Sequence, residues 1–155
     1  MLFSFKVNAR DLINDYSSLF QDETLWHYQT IGLDKLYKNN NLKNLKTVTV
    51  TIIDTGFKET ELLKENIKTI NYLSNKDYYK VDYHSNSIAN IIVRNNKQSK
   101  YLKGIAPNVQ LNIIEINPKP NVDEIYQALK LALKQKSNII NMSFGFPNVK
   151  SIKKI

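Results

Sequence analysis

The chain has 155 residues, of which 42% are hydrophobic and 23% charged, so we expect one globular domain with an ordinary core rather than a disordered or fibrous chain. It contains no cysteine, which excludes disulfide frameworks, thiolate metal sites and a cysteine nucleophile. A net charge of +8 raises nucleic acid as a partner, but the lysines are scattered and Arg10 and Arg94 are the only arginines, so we predict no nucleic-acid surface.

The first 24 residues are predicted to form a short helical extension, because apolar residues recur at helical spacing between Ala9 and Phe20. Polar residues from Lys6 onwards interrupt the opening apolar run before a signal-peptide core is complete. No segment reaches the roughly 18 consecutive apolar residues of a membrane span. We therefore expect residues 25–155 to form the main domain, and the chain as given to be cytoplasmic and without a membrane span.

The first half of the main domain alternates between predicted helices and strands. A helical turn or two at residues 32–37 is followed by a polar loop and then by seven β-branched residues at 47–53, which predict a buried strand of a parallel sheet. We expect a helical stretch around Glu59 to Asn66 and a short strand near Lys68 to Leu73. A further helix opens at His84.

The second half continues the alternation. Gly104 and Pro107 predict a turn, and an alternating segment at 109–116 predicts a second long strand. A helix is expected from residues 121–124 through Lys136, and a last strand at 138–142. This order predicts an α/β fold in which helices flank a parallel sheet.

Polar residues directly follow two of the predicted strands, at Asp54 and at Ser143. Ligands and catalytic residues collect at the carboxyl ends of parallel strands, so both positions are candidates for a site. Each also has a plain structural reading: an aspartate forms turns and caps helices, a histidine such as His84 can open a surface helix, and Ser143–Gly145 can be a strand-end turn. The joint pattern decides between these interpretations.

Five ordered motifs over about 120 residues resemble the subtilases, the subtilisin-like serine peptidases. Each of the four glycines of the chain falls inside one of these motifs. The motifs cover residues 26–37, 48–56, 84–92, 104–108 and 139–145.

The resemblance implies a subtilisin-like three-layer α/β architecture and an Asp-His-Ser triad, in which Asp54 holds His84 and His84 acts as the general base. It also implies that Ser143, Phe144 and Gly145 bind the backbone and a side chain of a peptide or protein substrate. No cofactor is predicted. Subtilases often carry structural calcium, and Glu61 lies roughly at an early calcium carboxylate, but Glu in place of Asp favours an ordinary helix-start glutamate.

The chain departs from the family at the histidine motif, His-Gly-Thr-His-Val-Ala-Gly, where it has Ser85, Asn86, Ser87 and Asn90 in place of Gly, Thr, His and Gly. The family register implies that the first turn of the helix that begins at His84 faces Asp54. The alternative is that Asn90, in place of a glycine, pushes the helix outward or rotates it. The 155 residues also contain no oxyanion-hole Asn motif and no Gly-Thr-Ser nucleophile motif. We therefore expect the lone chain to be inactive.

Three hypotheses about function follow. The chain is the amino-terminal half of a subtilisin-like serine endopeptidase, completed by a longer reading frame or by a complementary carboxy-terminal half. Alternatively, it is a degenerate pseudopeptidase that binds a peptide or a partner protein without cleaving it. A third hypothesis is a small α/β interaction module whose basic tail, Lys150 to Lys154, binds anionic surfaces.

Overall fold

A computed structural model of the chain describes residues 26–38, 47–74, 83–94 and 104–145. The predicted amino-terminal extension, most of the loop after Tyr37, most of the tyrosine-rich segment before His84 and the basic tail lie outside the described residues. The helices and strands are, in chain order, α1 (Trp26–Thr30), α2 (Leu33–Lys38), β1 (Thr49–Asp54), β2 (Ile67–Tyr72), α3 (His84–Val93), β3 (Gln110–Glu115), α4 (Val122–Lys134) and β4 (Ile139–Asn141).

The four strands form one parallel sheet in the order β2-β3-β1-β4. β1 and β3 are paired along their full length, from Thr49 beside Gln110 to Asp54 beside Glu115. β4 pairs with β1 over three residues. The chain therefore has the α/β fold predicted from its alternating elements.

Helices cover both faces of the sheet. On one face, Val50 and Ile52 of β1 belong to a core cluster with Ala89 and Val93 of α3. On the opposite face, Ile53 packs with Ala128 and Ala132 of α4. Successive side chains of a strand point to opposite faces, so the unbroken β-branched run of β1 supplies both cores at once. The three-layer architecture expected from the resemblance is confirmed.

The helix predicted around Glu59 to Asn66 is not formed, and this prediction was wrong. Residues 61–66 make a series of turns. The N–H groups of Leu63 and Lys64 both donate to the carbonyl of Thr60, and that of Asn66 donates to the carbonyl of Leu63. Asn66 is buried, and its amide donates to the carbonyls of Pro107 (2.7 Å) and Val109 (2.8 Å). These bonds to a distant segment, which the sequence pattern does not reveal, fix the chain just before β2.

The turn at Gly104 closes the carboxyl end of α3. The N–H groups of Gly104, Ile105 and Ala106 donate to the carbonyls of Arg94, Ile91 and Ile92, at 2.9, 2.9 and 2.7 Å. A Cβ at position 104 would lie 2.5 Å from the Arg94 nitrogen, so this backbone approach requires glycine.

α4 begins as predicted, with Asn121 as its N-cap and the Asn121 side chain accepting from the N–H of Glu124. Among the described helices, none has the length and apolar character that a bilayer crossing requires.

Candidate active site

Asp54 ends β1 and is buried at the carboxyl edge of the sheet. Its Oδ1 accepts a hydrogen bond from the N–H of Thr55 at 2.7 Å. Gly56 follows with a φ of 62°, a left-handed conformation that glycine adopts without strain and that turns the chain away from the sheet. The Asp-Thr-Gly sequence thereby leaves the carboxylate at the end of a rigid strand with one oxygen already oriented by its own backbone.

His84 is the first residue of α3, and its Nδ1 lies 2.9 Å from Oδ1 of Asp54. The imidazole side chain is 45% exposed, whereas the carboxylate that it contacts is buried. The N–H of Ser85 donates to the carbonyl of Thr55 at 2.9 Å, which ties the start of α3 to the residue after Asp54. The arrangement thus pairs a buried carboxylate with one ring nitrogen of a partly exposed histidine.

The carboxylate of Asp54 is held through one oxygen. Oδ1 accepts from the Thr55 N–H and is hydrogen-bonded to Nδ1 of His84. Oδ2 is buried and makes no hydrogen bond to the described residues. The orientation of the carboxylate toward His84 therefore depends on the backbone of the loop that follows β1.

The expectation that Asn90 would displace α3 does not match the structure. The Asn90 amide turns back along its own helix and donates to the carbonyl of Asn86 at 2.8 Å, so its extra atoms do not separate the helix from the sheet. Two neighbours of Asn90 on the inner face of α3, Ala89 and Val93, are fully buried in the core. The 2.9 Å contact between His84 and Asp54 is kept with the altered motif.

Ser143 lies at the same edge of the sheet as Asp54, because β4 runs parallel to β1 and ends at Asn141. Its hydroxyl is exposed and donates to Oδ1 of Asn141 at 2.9 Å. Phe144 packs against the core cluster on the α4 face, and a Cβ on Gly145 would meet no atom within 4 Å. Within the described residues β4 pairs only with β1, so its outer backbone edge is accessible to an added strand.

Sequence reasoning missed Glu115, which ends β3 beside Asp54. The carboxylate is buried; Oε2 accepts from the N–H of Phe57 at 3.0 Å and Oε1 from the Ser74 hydroxyl at 3.4 Å. Burial raises the pKa of Glu115 above its ordinary value, and the two hydrogen bonds offset part of that rise. The available signal was a single charged residue in an otherwise uncharged strand.

Sequence reasoning also missed Asn86. Its Oδ1 accepts from the N–H of Lys58 at 2.7 Å, and its Nδ2 donates to the carbonyl of the same residue at 2.6 Å. Because the motif comparison marked Asn86 only as a departure from the family, nothing in the sequence pointed to this pairing.

Among the described residues, Glu61 has no set of neighbouring side chains that could share a metal ion with it. Its side chain is 85% exposed and forms an ion pair with Lys64 at 3.0 Å. In the described ranges, no three histidine or carboxylate side chains cluster closely enough to hold a metal ion. The described residues around Glu61 therefore do not supply the set of oxygen ligands that a calcium site requires.

Comparison with known proteins gives the family. A search of curated proteins found no match. A sequence model of the subtilase family matches residues 45–154, which include Asp54, His84 and Ser143. The match begins after Trp26 to Tyr37, so the part of the resemblance carried by that segment stays a prediction. Because the match covers most of the chain and the parallel three-layer fold agrees with it, the chain belongs to the subtilase family of serine peptidases.

Proposed function

We propose that the chain supplies the aspartate and the histidine of a subtilisin-like serine endopeptidase whose nucleophilic serine lies outside these 155 residues. The observation that carries the proposal is the 2.9 Å contact between His84 Nδ1 and the buried carboxylate of Asp54. Peptide-bond hydrolysis by this family needs that contact, because the carboxylate fixes the orientation and tautomer of the imidazole.

The geometry supports a role for each ring nitrogen of His84. With Nδ1 engaged by Asp54, Nε2 is the ring nitrogen that takes the proton from the serine hydroxyl as the serine attacks the scissile carbonyl, and that later returns it to the leaving amine. The Asp54 carboxylate stabilises the imidazolium that forms between these two steps. The half-exposed ring lets a nucleophile approach from the solvent side.

The substrate is proposed to be a peptide or protein that extends along Ser143–Gly145. This segment follows β4 at the edge where Asp54 ends β1, and backbone pairing with an added strand places a peptide beside the histidine. The half-buried ring of Phe144 packs against the core on the α4 face, and this contact supports the segment.

The second candidate is a pseudopeptidase that binds a peptide or partner without cleaving it. The altered histidine motif favours this alternative, because Ser85, Asn86, Ser87 and Asn90 replace four of its seven residues. Retention of the buried aspartate and of its contact with the histidine favours the peptidase. The two candidates differ in whether the pair becomes catalytic once a serine is present.

The deciding experiment supplies the missing motifs. The chain is incubated with an unstructured protein and with a serine-directed fluorophosphonate, alone and together with a polypeptide that carries a subtilase oxyanion Asn and Gly-Thr-Ser segment. We expect no cleavage and no labelling by the lone chain, and both in the mixture. Peptide binding without either reaction in the mixture would favour the pseudopeptidase.

Variants of the pair make the result specific. His84→Ala in the active mixture is expected to lower kcat by about 10⁶-fold, the magnitude found for the histidine of subtilisin itself. Asp54→Asn is expected to cost about 10⁴-fold, as in other serine-peptidase triads. His27→Ala, at the other histidine of the chain, is the matched control and is expected to leave the rate unchanged. Equal losses from His27→Ala and His84→Ala would contradict the assignment.

A further inference from the structure

The loop between β1 and residue 58 is held from two sides by buried side chains. Phe57 donates its N–H to Glu115 of β3, and Lys58 exchanges two hydrogen bonds with Asn86 of α3. Both side chains are buried, where hydrogen bonds are least weakened by competing water. The segment that leads away from Asp54 is therefore fixed to the sheet and to the helix that carries His84.

The contact between Asn86 and Lys58 links the chain segments that carry His84 and Asp54. Asn86 lies two residues after His84 in the first turn of α3, and Lys58 lies four residues after Asp54 in the loop that orients the carboxylate. A backbone bond, from the Ser85 N–H to the Thr55 carbonyl, also joins the start of α3 to this loop. Releasing Asn86 would remove its two hydrogen bonds to Lys58, and with them the side-chain contact between the turn that carries His84 and the loop.

The carboxamide is chemically suited to this contact. A primary amide offers one acceptor and a donor in a fixed plane, so it can pair with the N–H and the C=O of a single residue as a neighbouring strand would. An aspartate accepts from the N–H but has no donor for the carbonyl. A single hydroxyl, such as that of the threonine that subtilases have in this motif, has no second polar atom to pair with the other backbone group.

We propose that Asn86 is a positioning residue that holds His84 within hydrogen-bonding distance of Asp54 by clamping Lys58. The inference rests on the proposed function for its catalytic meaning, but the contact it controls can be measured without any peptidase activity. It also accounts for how the pair stays in contact despite the altered histidine motif.

The test measures the His84 ring proton. In the full chain, the proton on Nδ1 is observed by NMR in the region downfield of the backbone amides, with His84→Ala used to assign it and to separate it from His27. Its exchange with water is followed by saturation transfer. Because Asn86→Ala removes both hydrogen bonds to Lys58, it is expected to speed this exchange by about tenfold or more.

Asn66→Ala is the matched control. Asn66 is also a buried asparagine whose side chain makes two hydrogen bonds to backbone groups, but it lies before β2, at the opposite end of the sheet. Both variants are expected to lose comparable stability in urea unfolding, and only Asn86→Ala is expected to change the His84 proton. Equal changes in both variants, or none in Asn86→Ala, would overturn the proposal.

Asn86→Asp provides a second variant that keeps the side-chain volume and the bond to the Lys58 N–H. It is expected to change the His84 proton in the same direction as Asn86→Ala, and it replaces that variant if the alanine chain does not fold. If neither position 86 variant folds while Asn66→Ala does, Asn86 serves the fold rather than the pair and the proposal fails.

The activity assay separates the two proposals. In the mixture with the supplied serine segment, Asn86→Ala is expected to lower kcat about tenfold with KM unchanged, because the side chain acts on the base and not on the substrate. A mixture that stays inactive while the NMR comparison behaves as expected would reject the peptidase and leave the positioning role intact. Activity in the mixture, together with a His84 ring proton that is unchanged in Asn86→Ala, would support the peptidase and reject the positioning role of Asn86.

Discussion

The two halves of the candidate site stand on strands with very different surroundings. Asp54 ends β1, a strand with neighbours on both sides and with all six residues buried. Ser143 follows β4, a strand of three residues that pairs, within the described part of the chain, only with β1. On β4, Ile139 is 54% exposed, and Met142 just beyond it is 44% exposed.

The hydrogen bonds show the same contrast. Around Asp54, the residues that follow the strand are tied to α3 and β3 by side chains and backbone groups. Ser143, by comparison, bonds only to Asn141 on its own segment among the contacts that the structure gives it. The aspartate and histidine are therefore arranged in advance by their own chain, whereas the proposed substrate segment keeps an open strand edge.

This difference matters for function because the two tasks have different requirements. A catalytic pair must be held within a few tenths of an ångström, so it benefits from rigid supporting contacts. A segment that pairs with a peptide needs unpaired backbone groups, which only an edge strand offers.

The largest expected effect tests the two strands directly. Ile52 is fully buried in β1 against the α3 face, and Ile52→Ala should cost about 2–5 kcal/mol of unfolding free energy by leaving a cavity. Ile139→Ala on β4 removes the same atoms from a half-exposed position and should cost less than about 1 kcal/mol. Urea unfolding of both variants measures the difference, and similar losses would show that β4 is covered in solution.

A second expected effect compares two glycines. Gly104→Ala places a Cβ 2.5 Å from the Arg94 nitrogen and 2.6 Å from the Ile92 carbonyl, so the turn must move away from α3, at a cost of about 1–3 kcal/mol. Gly145→Ala meets no atom within 4 Å and should change stability by no more than about 0.5 kcal/mol. Thermal unfolding of the pair is the measurement. An equal change in melting temperature in the two variants would mean that the tight turn at Gly104 is able to relax.

The sequence predicted the interior of the fold better than its connections. The strands β1 and β3 and the capped helix α4 were found because their patterns are local: β-branched runs, alternation, and an asparagine before a helical spacing. The expected helix around Glu59 to Asn66 failed because bonds from Asn66 to a segment some 40 residues away outweigh local preference. Only the folded chain reveals such bonds.

The site divides in the same way. Asp54, His84 and Ser143 were singled out because each stands in a short motif of fixed order. Glu115 and Asn86 were missed because their importance depends on strand register and on the helix approach, through contacts with Phe57 and Lys58. The opposite error concerned Asn90, where a larger side chain was expected to clash, although the asparagine bonds back to its own helix.

The smallest expected effect concerns the pH dependence that Glu115 gives to the rigid region. Burial raises the pKa of this carboxyl in the folded protein above the ordinary value of 4.5. Between these two pKa values the folded protein binds more protons than the unfolded chain, so stability falls as pH rises through that window. The contribution is fully present below the unfolded pKa and is lost once the pH exceeds the folded one.

Glu115→Gln removes this titration while keeping the side-chain size and an acceptor for the Phe57 N–H. The unfolding free energy of the wild type minus that of Glu115→Gln should therefore decrease as pH rises from about 4.5 and then level off. Urea unfolding at a series of pH values measures it, and Glu61→Gln, at an exposed glutamate, controls for the loss of one negative charge. If the difference instead grows with pH, the bonds from Phe57 and Ser74 stabilise the carboxylate by more than burial costs it, and Glu115 then holds the loop beside Asp54 most strongly in its charged form.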